Sequence, residues 1–188
     1  MTERRLCQPD NDERSALVRK RDTRCVGFSM SFMRVRDGEA VDGDRDGVRR
    51  FLGDRGLTVE TRHETSAHLL TAEGNQLSLD GSWTDLHVNP MDSPHEFSGG
   101  IWHANLSVEE CEFIFDLCVA AGFLICNHQG SPMFVVPKNN HGVDDLQQLV
   151  DDPSIVFVES ADEMRRALLG DFARFVTYRN QVITSNLP

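Results

Sequence analysis

Two stretches of the sequence place acidic, histidine and tryptophan residues at alternate positions, the spacing that puts side chains on one face of a β-strand. In residues 83–89 the apolar residues face one side, and Trp83, Asp85 and His87 face the other. In residues 101–105, His103 and Asn105 share a side. If these two strands are neighbours, the five polar and aromatic residues form one patch.

A carboxylate beside an imidazole can act as an acid and base or hold a metal ion. We therefore take Asp85, His87 and His103 as catalytic candidates, and Trp83 and Asn105 as binding candidates beside them. The alternative is that all five lie on the solvated face of a half-covered antiparallel sheet.

Asn127 and His128 follow an apolar stretch and open the polar turn 127–132. Polar loops at strand ends are common places for binding sites, so both are binding candidates. An ordinary hairpin turn explains the same residues. A cysteine nucleophile would need an exposed thiolate, whereas Cys111 and Cys118 fall on the apolar face of a predicted helix and are expected in the core.

The string from Asp42 to Gly47 has the D-x-D-x-D-G spacing of a calcium loop, in which Asp42, Asp44 and Asp46 can converge on one hard cation. The motif is incomplete, because Gly53 occupies the position of the bidentate Glu. The alternative is an acidic loop whose charge stabilises the positive end of the following helix. We predict no cofactor, with calcium or a transition metal as the alternatives.

The strings that mark common catalytic classes are missing from the sequence. It contains no H-x-x-x-H, C-x-x-C or G-x-S-x-G, and neither phosphate-binding glycine motif. Lys20 and Lys138 are the only lysines that could form a Schiff base. The sequence therefore favours a protein that is not an enzyme.

The net charge of the chain limits the classes of partner that we expect it to bind. The 188 residues are 39% hydrophobic, enough for one domain with a real core, and carry a net charge of −11. Residues 1–27 hold seven basic and five acidic residues, so the acidity belongs to the rest. A domain with this much negative charge repels phosphate backbones and anionic lipids, so we expect neither nucleic acid nor a membrane as a partner. We expect a protein partner, and that partner can be basic.

Cysteine usage and hydropathy predict the compartment. The five cysteines are an odd number without the pattern of a disulfide framework. No apolar run approaches the ~18 residues of a membrane span, and no signal peptide is visible. We expect a cytoplasmic protein. Arginine outnumbers lysine by seventeen to two, which is typical of GC-rich bacterial genomes.

The elements that must position the candidates follow from hydrophobic period and turn residues. Residues 1–27 lack such a period and are predicted as a disordered or loosely attached tail. Residues 28–184 are predicted as one domain with halves at 28–98 and 99–184. The first half is predicted to contain a helix at 45–55 and strands at 28–34, 57–62, 67–71, 76–79 and 83–88.

The second half repeats the order of strand, helix, strand and strand. A strand at 100–106 precedes a helix that Ser107 and Glu110 open as a capping box and Gly122 ends. Strands at 123–126 and 133–136 follow, and the chain ends with helices at 143–150 and 160–169, a strand at 155–158, and a last helix over 172–183. The predicted fold is α+β, with a mixed, mainly antiparallel sheet from two βαββ-like halves, helices packed on one face, and C-terminal helices.

Two functions fit these expectations. The first is a non-enzymatic protein-interaction module, of the kind that an immunity protein or inhibitor represents, because a small acidic domain suits a basic partner. The alternative is a small enzyme or ligand-binding domain that uses the Asp85, His87 and His103 patch, with or without a metal.

Overall fold

The computed structural model describes residues 28–185 and has the predicted α+β architecture. The predicted tail at residues 1–27 lies outside this range. The described chain forms these elements in order: β1 (Phe28–Arg36), β2 (Glu39–Val41), α1 (Arg45–Asp54), β3 (Thr58–His63), β4 (Ser66–Leu70), β5 (Ser78–Leu79), β6 (Ser82–Trp83), β7 (His87–Val88), β8 (Gly99–Ala104), α2 (Val108–Ala121), β9 (Leu124–Asn127), β10 (Phe134–Pro137), α3 (Val143–Gln147), β11 (Ile155–Val158) and α4 (Ala161–Ser185).

One mixed sheet dominates the described chain, with β1 and β8 side by side near its centre. Its strand order is β11-β10-β9-β1-β8-β7-β4-β3, and β2 pairs with β1 off this path. Neighbouring strands are antiparallel except β10 and β11, which run parallel. The short hairpin of β5 and β6 forms a separate two-stranded sheet.

Helix α2 forms where the sequence predicts it, because its ends are fixed locally. The Ser107 hydroxyl accepts a hydrogen bond from the Glu110 N–H at 3.2 Å, and Gly122 closes the helix in the left-handed conformation with a φ of 67°. The return half of the capping box differs from expectation. The buried Glu110 carboxylate accepts from the N–H groups of Asn105 and Leu106, both at 2.8 Å, rather than from Ser107.

The two faces of the sheet are covered unequally. On β1, Phe28, Met30 and Phe32 point into the main core, which α1, α2 and α4 cover. Met33 and Val35 point to the opposite face, where they meet Leu146 of α3 in a second, smaller core. Helix α3 therefore covers only one part of this second face, over the end of β1 that carries Val35 and over the neighbouring β9 and β10.

The two halves share their centre but not their edges. Strands β1 and β8 pair, and the helices that follow them, α1 and α2, pack against each other. Beyond that the order differs, because β9 lies directly beside β1 whereas β7 separates β8 from β4 and β3. At the C-terminus, the two predicted helices form one continuous helix, α4, through Gly170.

The predicted strand 83–88 is broken in the structure. Trp83 ends β6 and pairs with Ser78, while His87 begins β7. Asp85 lies in the connection between them and is buried, with 5% of its surface exposed. The break separates Trp83 from the residues with which its alternation had grouped it.

Candidate functional site

The part of the second sheet face that α3 leaves uncovered is the candidate site, and we call it the open face. It centres on Trp102, which is 53% exposed, and on His103, whose side chain is 46% exposed. About half of each of these two side chains is therefore open to solvent. The remaining members lie on β1, β3, β4, β7 and β8; they are Ser29, Ser31, Glu60, His68, His87 and Gly100.

A β-bulge in β8 turns Trp102 and His103 to the same side. Phe28 pairs with Ala104 and Met30 with Ile101, so two residues of β8 face the single residue Ser29 of β1. The bulged residues are held by the Asp85 carboxylate, whose Oδ1 accepts the N–H of Trp102 at 3.0 Å and the N–H of His103 at 3.1 Å. A buried carboxylate thus replaces the ladder hydrogen bonds that the bulge gives up.

The same carboxylate fixes the His103 ring. Asp85 Oδ2 is hydrogen-bonded to His103 Nδ1. A carboxylate has only acceptor sites, so His103 Nδ1 carries a proton and donates it. In the neutral imidazole, Nε2 is then the nitrogen with the free lone pair. A carboxylate that orients an imidazole in this way is the arrangement of a general base and its orienting group.

His87 is fixed by the backbone of the same residue. Its Nδ1 lies 3.1 Å from the Asp85 carbonyl oxygen, which can only accept, so Nδ1 is the donor. The imidazole stacks on Trp102 with 4.3 Å between ring centroids and a 31° tilt. Burial lowers the pKa of His87 below its usual range, so the ring is neutral at pH 7 and its Nε2 is also an acceptor.

A straight row of side chains crosses the open face at one register level. Glu60 pairs with His68, His68 with His87, His87 with Gly100, and Gly100 with Ser31. At roughly 4.8 Å per strand the row is about 19 Å long. His68 is held in place by Gln76, whose Nε2 lies 2.9 Å from His68 Nδ1.

Gly100 lies beneath the His87 ring in this row, and the packing around it leaves no room for a side chain. A Cβ at this position would lie 2.9 Å from the Met30 carbonyl oxygen and 3.3 Å from His87 Cε1. The His87 ring therefore occupies the space that a side chain at Gly100 would take. The close approach of ring and backbone is a reason for glycine in a strand interior.

The turn after β9 brings His128 to the open face and keeps Asn127 away from it. His128 Nε2 is hydrogen-bonded to the Ser31 hydroxyl, and Gln129 Oε1 accepts the Ser29 N–H at 3.1 Å. Asn127 is buried, and its Nδ2 donates to the Pro132 carbonyl at 3.0 Å and to Asp171 Oδ2 at 2.9 Å. Asn127 therefore shapes the turn, and His128 is the member of the pair that a ligand can reach.

Two sequence candidates lie outside the open face. Trp83 is 58% exposed on the separate β5–β6 hairpin. Asn105 Oδ1 accepts the Ser107 N–H at 2.7 Å, so this side chain supports the start of α2. The structure brings Asp85, His87 and His103 together, as the alternation suggested, but Trp102 takes the place beside them that Trp83 was expected to fill.

The three carboxylates of the predicted cation loop have separate partners. Asp42 accepts from Arg45 Nε at 3.0 Å and from the Phe97 N–H at 2.7 Å, and the hydrogen bond from Arg45 is the largest cause that lowers the pKa of Asp42. Asp44 caps α1, and Asp46 pairs with Arg49 at 2.7 Å. Within residues 28–185, no three or more His, Cys, Asp or Glu side chains are grouped so that they could hold a metal ion.

The cysteines of the described chain belong to the packing of the domain. Cys111, Cys118 and Cys126 are buried and free of disulfides. Burial raises the pKa of the Cys111 and Cys126 thiols to about 12, and it also raises the pKa of Cys118. Thiols held neutral in this way are poor nucleophiles.

A cleft on the helical side of the sheet was not visible in the sequence. It has a volume of about 310 Å³ and lies between α2 and the loop before β5. Its wall combines apolar side chains such as Leu77 and Phe113 with the acidic Glu109, Glu112 and Asp116. Arg55 already pairs with Asp116 at 2.8 Å, so part of this acidic charge is neutralised.

Comparisons with known proteins found no relative of this chain. No family model, curated protein or solved structure matches the chain. None of the described helices combines the length and the apolar character that crossing a bilayer requires.

Proposed function

We propose that this protein is a non-enzymatic protein-interaction module that contacts its partner through the open face. The observation that supports this most is Trp102, half exposed in the middle of a sheet and fixed by its stacking on His87. Tryptophan is enriched among the residues that contribute most to protein binding, above all where it is already held in its bound position.

The charge of the chain supports a basic partner. A net charge of −11 attracts a cationic protein over long range and raises its association rate. The open face supplies short-range contacts that are mostly uncharged, because its charged member Glu60 pairs with the neighbouring Arg62 of β3. An acidic module that neutralises a basic partner is immunity- or inhibitor-like, and we place its action in the cytoplasm, where free thiols persist.

The experiment compares the two tryptophans of the chain. Trp83→Ala is the matched control for Trp102→Ala, because Trp83 is equally exposed but lies off the open face. Each variant and the wild type are used as bait in lysate from the native host, and stoichiometric partners are identified by mass spectrometry. We expect wild type and Trp83→Ala to retain one partner that Trp102→Ala loses. Equal retention by both variants contradicts the proposal.

A second candidate function rests on the Asp85–His103 pair. The buried carboxylate orients a half-exposed imidazole through Nδ1 and so leaves Nε2 as the acceptor of the neutral ring, which is the arrangement of a general base. A panel of ester and phosphate substrates tests this candidate. Turnover that persists in His95→Ala and disappears in His103→Ala supports it, and turnover that is the same in both variants removes it.

A further inference from the structure

The exposed face of the Trp102 indole is a surface on which a cation can stack. The His87 ring packs against the indole at 4.3 Å, and the rest of the indole, 53% of the residue's surface, remains open. The face of an indole carries partial negative charge, and among aromatic rings it attracts ammonium and guanidinium groups best. His87 holds the ring in place, so little side-chain freedom is left to be lost on binding.

The groups around Trp102 accept hydrogen bonds rather than donate them. The Asp85 carbonyl oxygen accepts a hydrogen bond from His87 Nδ1, and the Asp85 carboxylate accepts one from His103 Nδ1. In the neutral form of each ring Nε2 carries the lone pair, and in the described part of the chain no protein group bonds to either Nε2. A ligand that fits between them must bring hydrogen-bond donors.

The Asp85 carboxylate lies directly behind these acceptors and adds negative charge to the site. The whole chain adds its charge of −11 to the same field. A ligand that is cationic, flat enough to stack and rich in N–H donors satisfies all three features. The guanidinium group has a planar fork of five N–H donors and stacks on aromatic rings, whereas an ammonium is compact and strongly hydrated.

We propose that Trp102, with His87 and His103 beside it, binds an arginine side chain of the basic partner. This inference rests on the proposed function and names the chemistry of its central contact. The guanidinium stacks on the open side of the indole and donates N–H hydrogen bonds to the imidazole nitrogens.

The test uses short blocked peptides that differ at one position: arginine, lysine or citrulline, the last being an uncharged analogue of arginine. Trp83→Phe leaves Trp102 as the single tryptophan, because the chain has two. Its fluorescence then reports the open face alone. We expect a saturable change with the arginine peptide, at least fivefold weaker binding of the lysine peptide, and no saturation with the citrulline peptide. Equal responses to all three peptides overturn the inference.

His103→Ala tests the acceptors, and His95→Ala is its control because His95 is exposed in the loop before β8. We expect His103→Ala to weaken binding of the arginine peptide at least threefold and His95→Ala to leave it unchanged. An unchanged affinity in folded His103→Ala overturns the arrangement. If Trp102→Ala loses the native partner while the arginine peptide fails to bind, the interaction function stands and only the arginine site falls.

Discussion

Replacing Asp85 with alanine tests how the open face is built. The substitution removes the acceptor of the Trp102 and His103 N–H groups, and also the partner of the His103 ring. A hydrogen bond to a charged group contributes about 1.5–3 kcal/mol. Since the His103 side chain is half exposed, we count only the two backbone hydrogen bonds. We expect Asp85→Ala to lower the free energy of unfolding by about 3–6 kcal/mol.

Urea unfolding followed by circular dichroism measures this loss. With a slope of ~2 kcal/mol per molar urea, the midpoint should fall by about 1.5–3 M. Asp85→Asn keeps an oxygen that can accept both backbone N–H groups, so its loss should be only about 1–2 kcal/mol. Its amide group donates to His103 Nδ1, however, which moves the imidazole proton to Nε2 and removes the acceptor from the open face.

Asp92→Ala is the matched control, because the Asp92 side chain is fully exposed and lies 3.8 Å from its nearest cation, Arg49. A surface change of this kind should alter stability by no more than about 0.5 kcal/mol. If Asp85→Ala and Asp92→Ala share one midpoint, the carboxylate does not hold the bulge and our account of the open face is wrong.

Three further predictions follow from the packing of the domain. Gly100→Ala should cost about 1–3 kcal/mol in the same urea assay, because its Cβ meets the Met30 carbonyl, whereas Gly53→Ala, with open space around it, should be neutral or stabilising. Burial lowers the pKa of His141 to about 4, below its usual value of 6.5, so the unfolded chain binds the proton more readily. Stability should therefore fall as the pH drops from 6.5 towards 4, and urea midpoints at several pH values should show a flatter profile for His141→Gln; an identical profile would assign the dependence elsewhere. Iodoacetamide at pH 8 should modify the cysteines at 111, 118 and 126 only after denaturation, because their thiols are buried and their pKa values are raised; peptide mapping that finds native labelling at any of them contradicts this.

The helices were predictable because their signals are local. Ser107, Glu110 and Gly122 lie within one short stretch and fix both ends of α2. Gly170 shows the limit of such signals. Separate helices were predicted on either side of it, at 160–169 and 172–183, but Phe172 and Phe175 pack edge-on against Phe28, and this packing favours one continuous helix.

The candidate site was predictable only in part. Alternation grouped Asp85 and His87 with His103 because all three lie on strands or beside them. The bulge in β8 was invisible, since it depends on the pairing of β1 with β8 and on a carboxylate seventeen residues away from Trp102. A regular strand would have turned Trp102 to the side opposite His103. The contact of Ser31 with His128 joins residues 97 positions apart, which no local pattern reports.

The row from Glu60 to Ser31 draws each of its five members from a different strand, and those strands come from both halves of the chain. Neither half alone can assemble the row. A shift of one strand by one residue would turn that strand's member to the other face of the sheet and break the row. A partner that docked there would consequently bind the fully folded protein and not partly folded chains. Under the proposed function, a chain would bind its partner only once all five of these strands had paired in register.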